Sequence, residues 1–388
     1  MLPQIKIDKK NFQKLNLSVL PSPCFVIDLE VIRQNLGLLK KVKNKTGVKI
    51  LLALKAFSLK EVGKLISKSL DGTAASGLNE AILGKKYFPG IVSTYSPAIN
   101  EKEMSEVINN SNFIIFNSIS QLKKFMPLNK KDIQIGIRVN PLYSEIDKTI
   151  YSAAGYKSRL GIHIDNLDCI NFNNIDGIHF HSLCEQNFGT LSRTWEKIYP
   201  ILKNYFKYLK WINIGGGHHI TRSDYDLDDL INFLIKIKSE SDCQIFIEPG
   251  EAIVFQSGVI VGEIIDLIRS TNKKTPHIVI TDISPTCHMP DVLEAPYRPE
   301  MLDEPKNGFE ILVGSQSCLA GDNIGKYNFK SFPKIGDKIT FLDQAHYTIV
   351  KTNFFNGINH PSLALWDSKT DKLKIIRKFS YDDYEMRM

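Results

Sequence analysis

With 388 residues, the chain is long enough for one large domain and a smaller one, each burying its own core. Its 43% hydrophobic and 23% charged residues are those of an ordinary globular protein, which excludes a disordered or fibrous chain. The formal charge of +7 is spread over scattered lysines, and the one dense group (Lys40, Lys41, Lys43, Lys45, Lys49) follows an amphipathic helix without interleaved aromatic residues. It reads as a solvated helix end and not as a nucleic-acid surface.

The first ten residues lack the apolar core of a signal peptide, and the apolar stretch around Val259–Ile265 is interrupted by Glu263, so a soluble, cytoplasmic protein with no membrane partner is expected. A short apolar segment, Cys24–Ile27, precedes a helix over Leu29–Lys43. Period-two and apolar runs then predict eight strands near 50–54, 72–75, 91–94, 112–116, 133–139, 175–181, 211–214 and 244–248. Between them lie helical segments at 58–70, opened by a capping box of Ser58 and Glu61, and at 77–87, 100–109, 118–126, 190–208 and 225–240. Tyr143–Gly161, the fifth connection, carries no helical stripe. Eight alternating strands suffice to close an α/β fold of the (β/α)8 TIM-barrel type, placed at residues 24–258.

Beyond residue 258 the pattern changes to strands without long helices: Val259–Ile268, His277–Asp282, Phe309–Val313, Asp337–Leu342, Tyr347–Val350 and Leu373–Lys378, with turn signals at Gly336-Asp337 and Asn356-Gly357. An all-β domain over 259–388 is expected, which residues 1–23, and the Cys24–Ile27 segment with them, are able to join. Six cysteines (Cys24, Cys169, Cys184, Cys243, Cys287, Cys318) show no Cys-x-x-Cys spacing. They are expected to be reduced thiols, mostly buried, with no structural metal.

Chemistry concentrates at strand ends, where a barrel of this type carries its active site. Lys55 follows Leu52-Ala53-Leu54 and precedes Ala56-Phe57, a setting that desolvates its amine and suits Schiff-base formation, although a lysine at a strand end is commonly a solvated charge. Gly215-Gly216-Gly217 follows the seventh strand, where side-chain-free amides can cradle a phosphate or merely make a tight turn. Glu248, in Glu248-Pro249-Gly250, ends the eighth strand facing the mouth, and a carboxylate there needs a cationic partner such as a protonated pyridine nitrogen. His179 and His181 point to one face of their strand; they can be metal ligands, with His218 or His219, or simply packed histidines.

Taken together, these residues resemble the fold type III pyridoxal-phosphate decarboxylases, a family that includes ornithine, diaminopimelate and carboxynorspermidine decarboxylases, and the resemblance covers nearly the whole chain. It implies pyridoxal 5'-phosphate as cofactor, with Lys55 as the Schiff-base lysine, His181 stacked on the cofactor ring, Gly215, Gly216 and Gly217 as phosphate loop, and Glu248 as pyridinium partner, with Gly250 in the same motif. Arg138, at the end of the fifth strand, would act electrostatically near the ring oxygen. Gly314–Asp322 resembles the family's cysteine loop, which implies that Cys318 returns a proton to Cα in a neighbouring subunit's site and that the protein is a homodimer with shared active sites. Tyr347 matches a phosphate-contacting tyrosine.

Departures narrow the substrate. Many relatives carry an arginine after Glu-Pro-Gly; this chain has Glu251, which disfavours diaminopimelate. His181–Glu185, Cys318–Asp322 and His288–Glu294 are most similar to the carboxynorspermidine branch of the family, implying a polyamine-type amino acid as substrate. An amine-bearing tail needs carboxylates, and Glu251, Asp291 and Asp322 are the candidates, each equally able to be a solvated loop acid. The rival readings are diaminopimelate decarboxylation, a metal-dependent hydrolase built on His179 and His181, and a non-catalytic carrier of the cofactor.

Overall fold

The computed structural model describes residues 9–126, 132–272 and 274–388; the start of the chain, where no signal peptide was read, lies outside them. Strand β1 (Cys24–Asp28) leads into the helix Leu29–Thr46. Then follow β2 (Lys49–Ala53), β3 (Gly72–Ala75), β4 (Ile91–Tyr95), β5 (Phe113–Phe116), β6 (Gln134–Asn140), the two-residue β7 (Ile162–His163), β8 (Gly177–His179), β9 (Trp211–Asn213) and β10 (Gln244–Ile247). All eight expected barrel strands are present, and β7 is an extra pairing on β6. Parallel ladders run from β2 through β3, β4, β5, β6, β8, β9 and β10, and β10 pairs β2 to close the barrel. Closure leaves no edge strand.

Strand parity decides what fills the barrel. Leu51, Ile115, Trp211 and Phe246 form one inward cluster, with Phe113 edge-on to Trp211 at 5.5 Å and to Phe246 at 5.3 Å. Trp211 fits because its neighbours are glycines: a Cβ on Gly136 would lie 2.3 Å from its ring, and one on Gly177 2.0 Å away. Two residues further along these strands, parity turns Arg138, His179, Asn213 and Glu248 inward, one layer above the aromatic plug. The plug is therefore the floor of the site.

The helices follow the expected order, with local differences. The segment begun by Ser58 is shorter than expected: Leu59 is its N-cap without a side-chain bond, and one 3₁₀ turn and one α turn end at Ile66. Two lysines of the basic group are not simply solvated. Lys43 and Lys49 bind Asp71 Oδ1 at 2.9 and 3.0 Å, while its other oxygen accepts the Ile50 N–H, pinning the entry to β2. As expected, the connection after β6 forms no α-helix before β8; it is made of 3₁₀ turns and β7.

A second sheet contains β11 (Gly258–Ile268), β12 (His277–Thr281), β13 (Phe309–Ser315), β14 (Asn323–Phe329), β15 (Lys338–Leu342), β16 (Ser362–Asp367) and β17 (Lys372–Arg377). Its order is β14-β13-β12-β11-β1-β16-β17, with β15 also paired to β11. β1 is antiparallel to β11 and parallel to β16, and all five of its residues are buried. The chain accordingly divides into Gln34–Ile253 and a second unit of Val254–Met388 together with the segment ending at Arg33. β1, which the sequence reading placed within residues 24–258 while leaving it able to join the C-terminal domain, belongs to the second sheet, where a buried strand satisfies its backbone between two partners.

Tyr347–Val350, expected as a strand, is instead a helical turn, Thr348–Lys351, capped by Tyr347 at φ 56°. β14 and β16 were not foreseen; Gly325 and several polar residues blur the period of β14. Short helices at Pro285–His288, Asp291–Glu294 and Tyr381–Arg387 accompany the sheet. The six cysteines are free thiols; Cys24, Cys243 and Cys287 are buried, while Cys169 and Cys318 are exposed. Among the described residues no helix is long and apolar enough to cross a membrane.

The plug yields a test of the packing. Gly177→Ala should destabilise the protein by about 1–3 kcal/mol, since the new methyl collides with a ring that has nowhere to move, and Trp211→Phe in the same chain should recover part of the loss. Equal thermal unfolding midpoints for wild type and Gly177→Ala would refute the tight fit.

Candidate active site

Within the barrel unit, backbone contacts fix the ends of β2, β9 and β10 against one another. The Ala53 N–H donates to Pro249 O at 3.1 Å, and the Leu54 N–H to Ala74 O at 3.0 Å, so the chain turns at Lys55 under restraint from both sides. Gly250 is required by packing: a Cβ there would lie 2.6 Å from that of Ala56. Solvent reaches the Lys55 side chain, yet burial is the largest influence lowering its pKa, followed by the Arg138 charge; Glu248 opposes both. An accessible group so densely surrounded stands in a concave mouth. Its amine is biased toward the neutral, nucleophilic form.

Glu248 is the anion of the site. Its Oε2 lies 3.1 Å from His179 Nε2, and its Oε1 accepts from Asn213 Nδ2 at 2.7 Å. Burial pushes its pKa up, but His179, Asn213 and Lys55 outweigh that and hold it below the usual carboxylate range. His179, whose own pKa is lowered chiefly by burial, is therefore a neutral ring donating Nε2–H to an ionised carboxylate. The Tyr95 ring stacks on His179 at 5.7 Å and lies under the Arg138 guanidinium at 4.6 Å. Arg138 is buried, and its Nη2 makes no hydrogen bond within the protein.

His181 sits beside the glycine loop. Its Nδ1 accepts the Gly216 N–H at 3.0 Å, placing the ring proton on Nε2. Burial, then the charges of Lys55 and Arg138, lower its pKa well below the ordinary value, so the ring is neutral. The loop spends two of its amides internally, since the Gly215 N–H donates to Asn213 Oδ1 at 2.9 Å. Its glycines are required by close packing, because a Cβ on Gly216 would lie 2.2 Å from Glu248 O and one on Gly217 2.0 Å from Leu183 O. Gly215 and Gly217 also have positive φ, 72° and 81°. The phosphate-cradle expectation thus meets a loop whose glycines answer first to backbone packing, with the Gly217 amide beyond the two that are committed.

At the same mouth His219 Nε2 lies 3.3 Å from Glu251 Oε1, and Glu185 brings a second carboxylate; the three ligand atoms lie within 4.8 Å of one another. His179 and His181, the pair weighed as metal ligands, are instead committed to Glu248 and Gly216.

The remaining expected residues lie in the second unit. Asp291 binds Lys351 Nζ at 2.6 Å, which Glu294 shares. The Asp322 carboxylate is buried and accepts bonds from Ser284, Thr286 and Ser317. Neither acid stands ready for a substrate amine, because each is engaged by protein groups. Cys318 is exposed, with its N–H on Asn356 Oδ1 at 2.8 Å, and Tyr347 is half-buried at the head of its helical turn. Sequence reasoning missed Tyr95, Asn213 and Glu185. Asn213 was open to inference as the one polar residue in Trp-Ile-Asn-Ile, and Tyr95 from its parity with Ile91.

No family model matches the chain. It is 39% identical over 380 residues to the carboxynorspermidine/carboxyspermidine decarboxylase of Campylobacter jejuni, covering 94% of this chain and 98% of the relative. The chain belongs to the carboxynorspermidine/carboxyspermidine decarboxylase family. It is a carboxy-lyase, with the fold type III architecture of a barrel and a β domain. A carboxyaminopropylagmatine decarboxylase from Synechocystis is 34% identical over 377 residues, 96% of each chain. The crystal structure of carboxynorspermidine decarboxylase from Campylobacter jejuni complexed with norspermidine superposes with a TM-score of 0.87 at 38% identity, covering 95% of this chain and all of that one. Diaminopimelate decarboxylases are more distant relatives.

The site residues suit the cofactor on which this family generally depends, pyridoxal 5'-phosphate. An amine biased to neutrality, a buried ionised carboxylate for a protonated ring nitrogen, a neutral imidazole face and an unsatisfied buried guanidinium nitrogen match its functional groups one by one.

Beside the glycine loop, His218 is buried against the Ile214 and Gly215 carbonyls, and burial lowers its pKa to about 4. The unfolded chain binds this proton near pH 6.5 and the folded one does not until about pH 4, so the stability is complete above 6.5 and is lost as pH falls between the two. His218→Gln should flatten the slope of unfolding free energy against pH in that window by up to about 1.4 kcal/mol per pH unit. Identical slopes for the two proteins would show that His218 titrates normally.

Proposed function

We propose that this family member decarboxylates a carboxylated polyamine, carboxynorspermidine or carboxyspermidine, to norspermidine or spermidine, using pyridoxal 5'-phosphate held at Lys55. The observation that carries this reading is the ionised Glu248, held by His179 and Asn213 within electrostatic reach of the Lys55 amine, in a chain 39% identical to a decarboxylase of these two substrates. When bound, the cofactor supplies the electron sink for the pair left behind as CO₂ departs.

The protein's own groups do the rest. Lys55 anchors the cofactor through its amine, and Glu248 keeps a ring nitrogen protonated because a buried carboxylate seeks a cation. His181 offers a neutral ring face oriented by the Gly216 amide, and Arg138 offers positive charge within electrostatic reach of Glu248. Gly217 contributes its amide to phosphate binding, and Tyr347 its hydroxyl. Cys318 Sγ carries the proton delivered to Cα, acting in a partner subunit's site of a homodimer.

The substrate tail carries ammonium groups, and Glu251, with Glu185 beside it, supplies matching charge at the barrel mouth. An arginine at 251 would repel such a tail, which is why diaminopimelate is the weaker reading. Steady-state kinetics on carboxynorspermidine, carboxyspermidine, carboxyaminopropylagmatine and diaminopimelate test the assignment. One of the first two should have the highest kcat/KM, and Glu251→Arg should lower it by on the order of a hundredfold through KM. A preference for diaminopimelate, or for the guanidinium-ended substrate, would replace the assignment.

The shared site makes a second prediction. Lys55→Ala and Cys318→Ala chains, each inactive alone, should on mixing form hybrids with one intact site of two, recovering about a quarter of wild-type activity after random exchange. Tagged chains verify the exchange; hybrids that form without activity would mean that each site is built from one chain.

A further inference from the structure

Three segments of the second unit converge on the Cys318 turn. Asp322 sits four residues beyond Cys318 and closes the turn with its backbone: its N–H donates to Leu319 O at 2.9 Å, and its carbonyl accepts the Ser315 N–H at 3.1 Å. Its carboxylate reaches across to the Pro285–His288 helix. Oδ1 accepts from the Thr286 N–H at 2.8 Å and from Thr286 Oγ1 at 2.9 Å; Oδ2 accepts from Ser284 Oγ at 2.7 Å and from Ser317 Oγ at 2.5 Å. The third segment joins both: Asn353 Nδ2 donates to Thr286 O at 2.7 Å, and Asn356 Oδ1 receives the Cys318 N–H at 2.8 Å. The hydrogen bonds thus form a closed ring that passes through the residue preceding Cys318 and through Cys318 itself.

A carboxylate has about four acceptor sites, and the four bonds from Thr286, Ser284 and Ser317 fill them, with the Ser315 side chain beside them. Burial pushes the Asp322 pKa up, but hydrogen bonds from Ser315, Ser317, Thr286 and Ser284 more than offset it and hold the acid below its ordinary range. A further donor, such as a substrate ammonium, would have to displace a serine or threonine already within the buried cluster. The carboxylate's bonds tie the turn that carries the exposed Cys318 to the Ser284–Thr286 segment.

We infer that Asp322 is a positioning residue for Cys318, locking the Cys318 turn to the Ser284–Thr286 segment, and not the binding site of a substrate amine. The inference rests on the reading of Cys318 as the proton donor for its effect on turnover, but the lock itself does not.

The experiment uses the full-length holoenzyme and two readouts: the iodoacetamide alkylation rate of Cys318, followed by mass spectrometry, and kinetics on carboxynorspermidine. Asp322→Asn keeps the size but turns one acceptor into a donor facing donors. It should raise the alkylation rate several-fold and lower kcat about tenfold or more, with KM within about twofold. Ser284→Ala with Ser317→Ala removes both bonds to Oδ2 while leaving the charge at 322, and should shift both readouts in the same direction. Should Asp322→Asn not fold, this double variant decides alone. A tenfold rise in KM with unchanged kcat and unchanged alkylation in Asp322→Asn would make Asp322 the amine site and overturn the inference, as would a double variant indistinguishable from wild type. Faster alkylation with wild-type turnover would confirm the lock and remove Cys318 from the reaction.

Discussion

An ionised carboxylate inside a barrel of apolar strands is costly unless its partners are fixed before any ligand arrives, and Glu248 has them. Two of its bonds come from the neighbouring strands β8 and β9, and both donors are neutral. The charge is thereby held in place without being cancelled, which leaves the lysine and any cationic ring nitrogen as its electrostatic partners. The surrounding features follow from this demand. Parity must bring His179, Asn213 and Glu248 to one level, so the layer below must fill the barrel completely, and Trp211 does so only because Gly136 and Gly177 have no side chains. The glycine loop then packs against Glu248 O and His181, so the residue that carries the charge also sets how closely the loop can approach.

Much of this could be read from residues alone. The eight barrel strands were found because each is a short apolar run with punctuation at its ends, and strand ends marked Lys55 and Glu248 for the barrel mouth, while parity put His179 and His181 on one face. What escaped did so for identifiable reasons. Tyr95 and Asn213 carry no motif; they matter only through which neighbours the barrel gives them. β14 was missed where Gly325 and polar residues interrupt the alternation, and β16 is a short run, Ser-Leu-Ala-Leu-Trp-Asp, without a period of its own, while Tyr347–Val350 has β propensity but is turned into a helix by a cap at positive φ. The acids Asp291 and Asp322 had the right charge for a polyamine tail, and sequence cannot show that Lys351 and a ring of hydroxyls already engage them.

The hydroxyl ring and the Glu248 cluster solve one problem in two ways. In the barrel an acid is held by two neutral donors and keeps its charge available for chemistry; in the second unit an acid is saturated and acts as a staple. Counting acceptor sites against donors separates the two cases where charge alone does not.

The placement of β1 has a consequence for how the protein is made. Cys24 pairs with Val261 on one side and Ser362 on the other, so a largely apolar strand leaves the ribosome early and waits while the whole barrel is synthesised before either partner exists. At ordinary elongation rates that wait is on the order of tens of seconds, during which β1 has two unpaired edges and no sheet to enter. Completing the β1 pairing is therefore a long-range step, which cannot begin before β11 emerges or finish before β16 does.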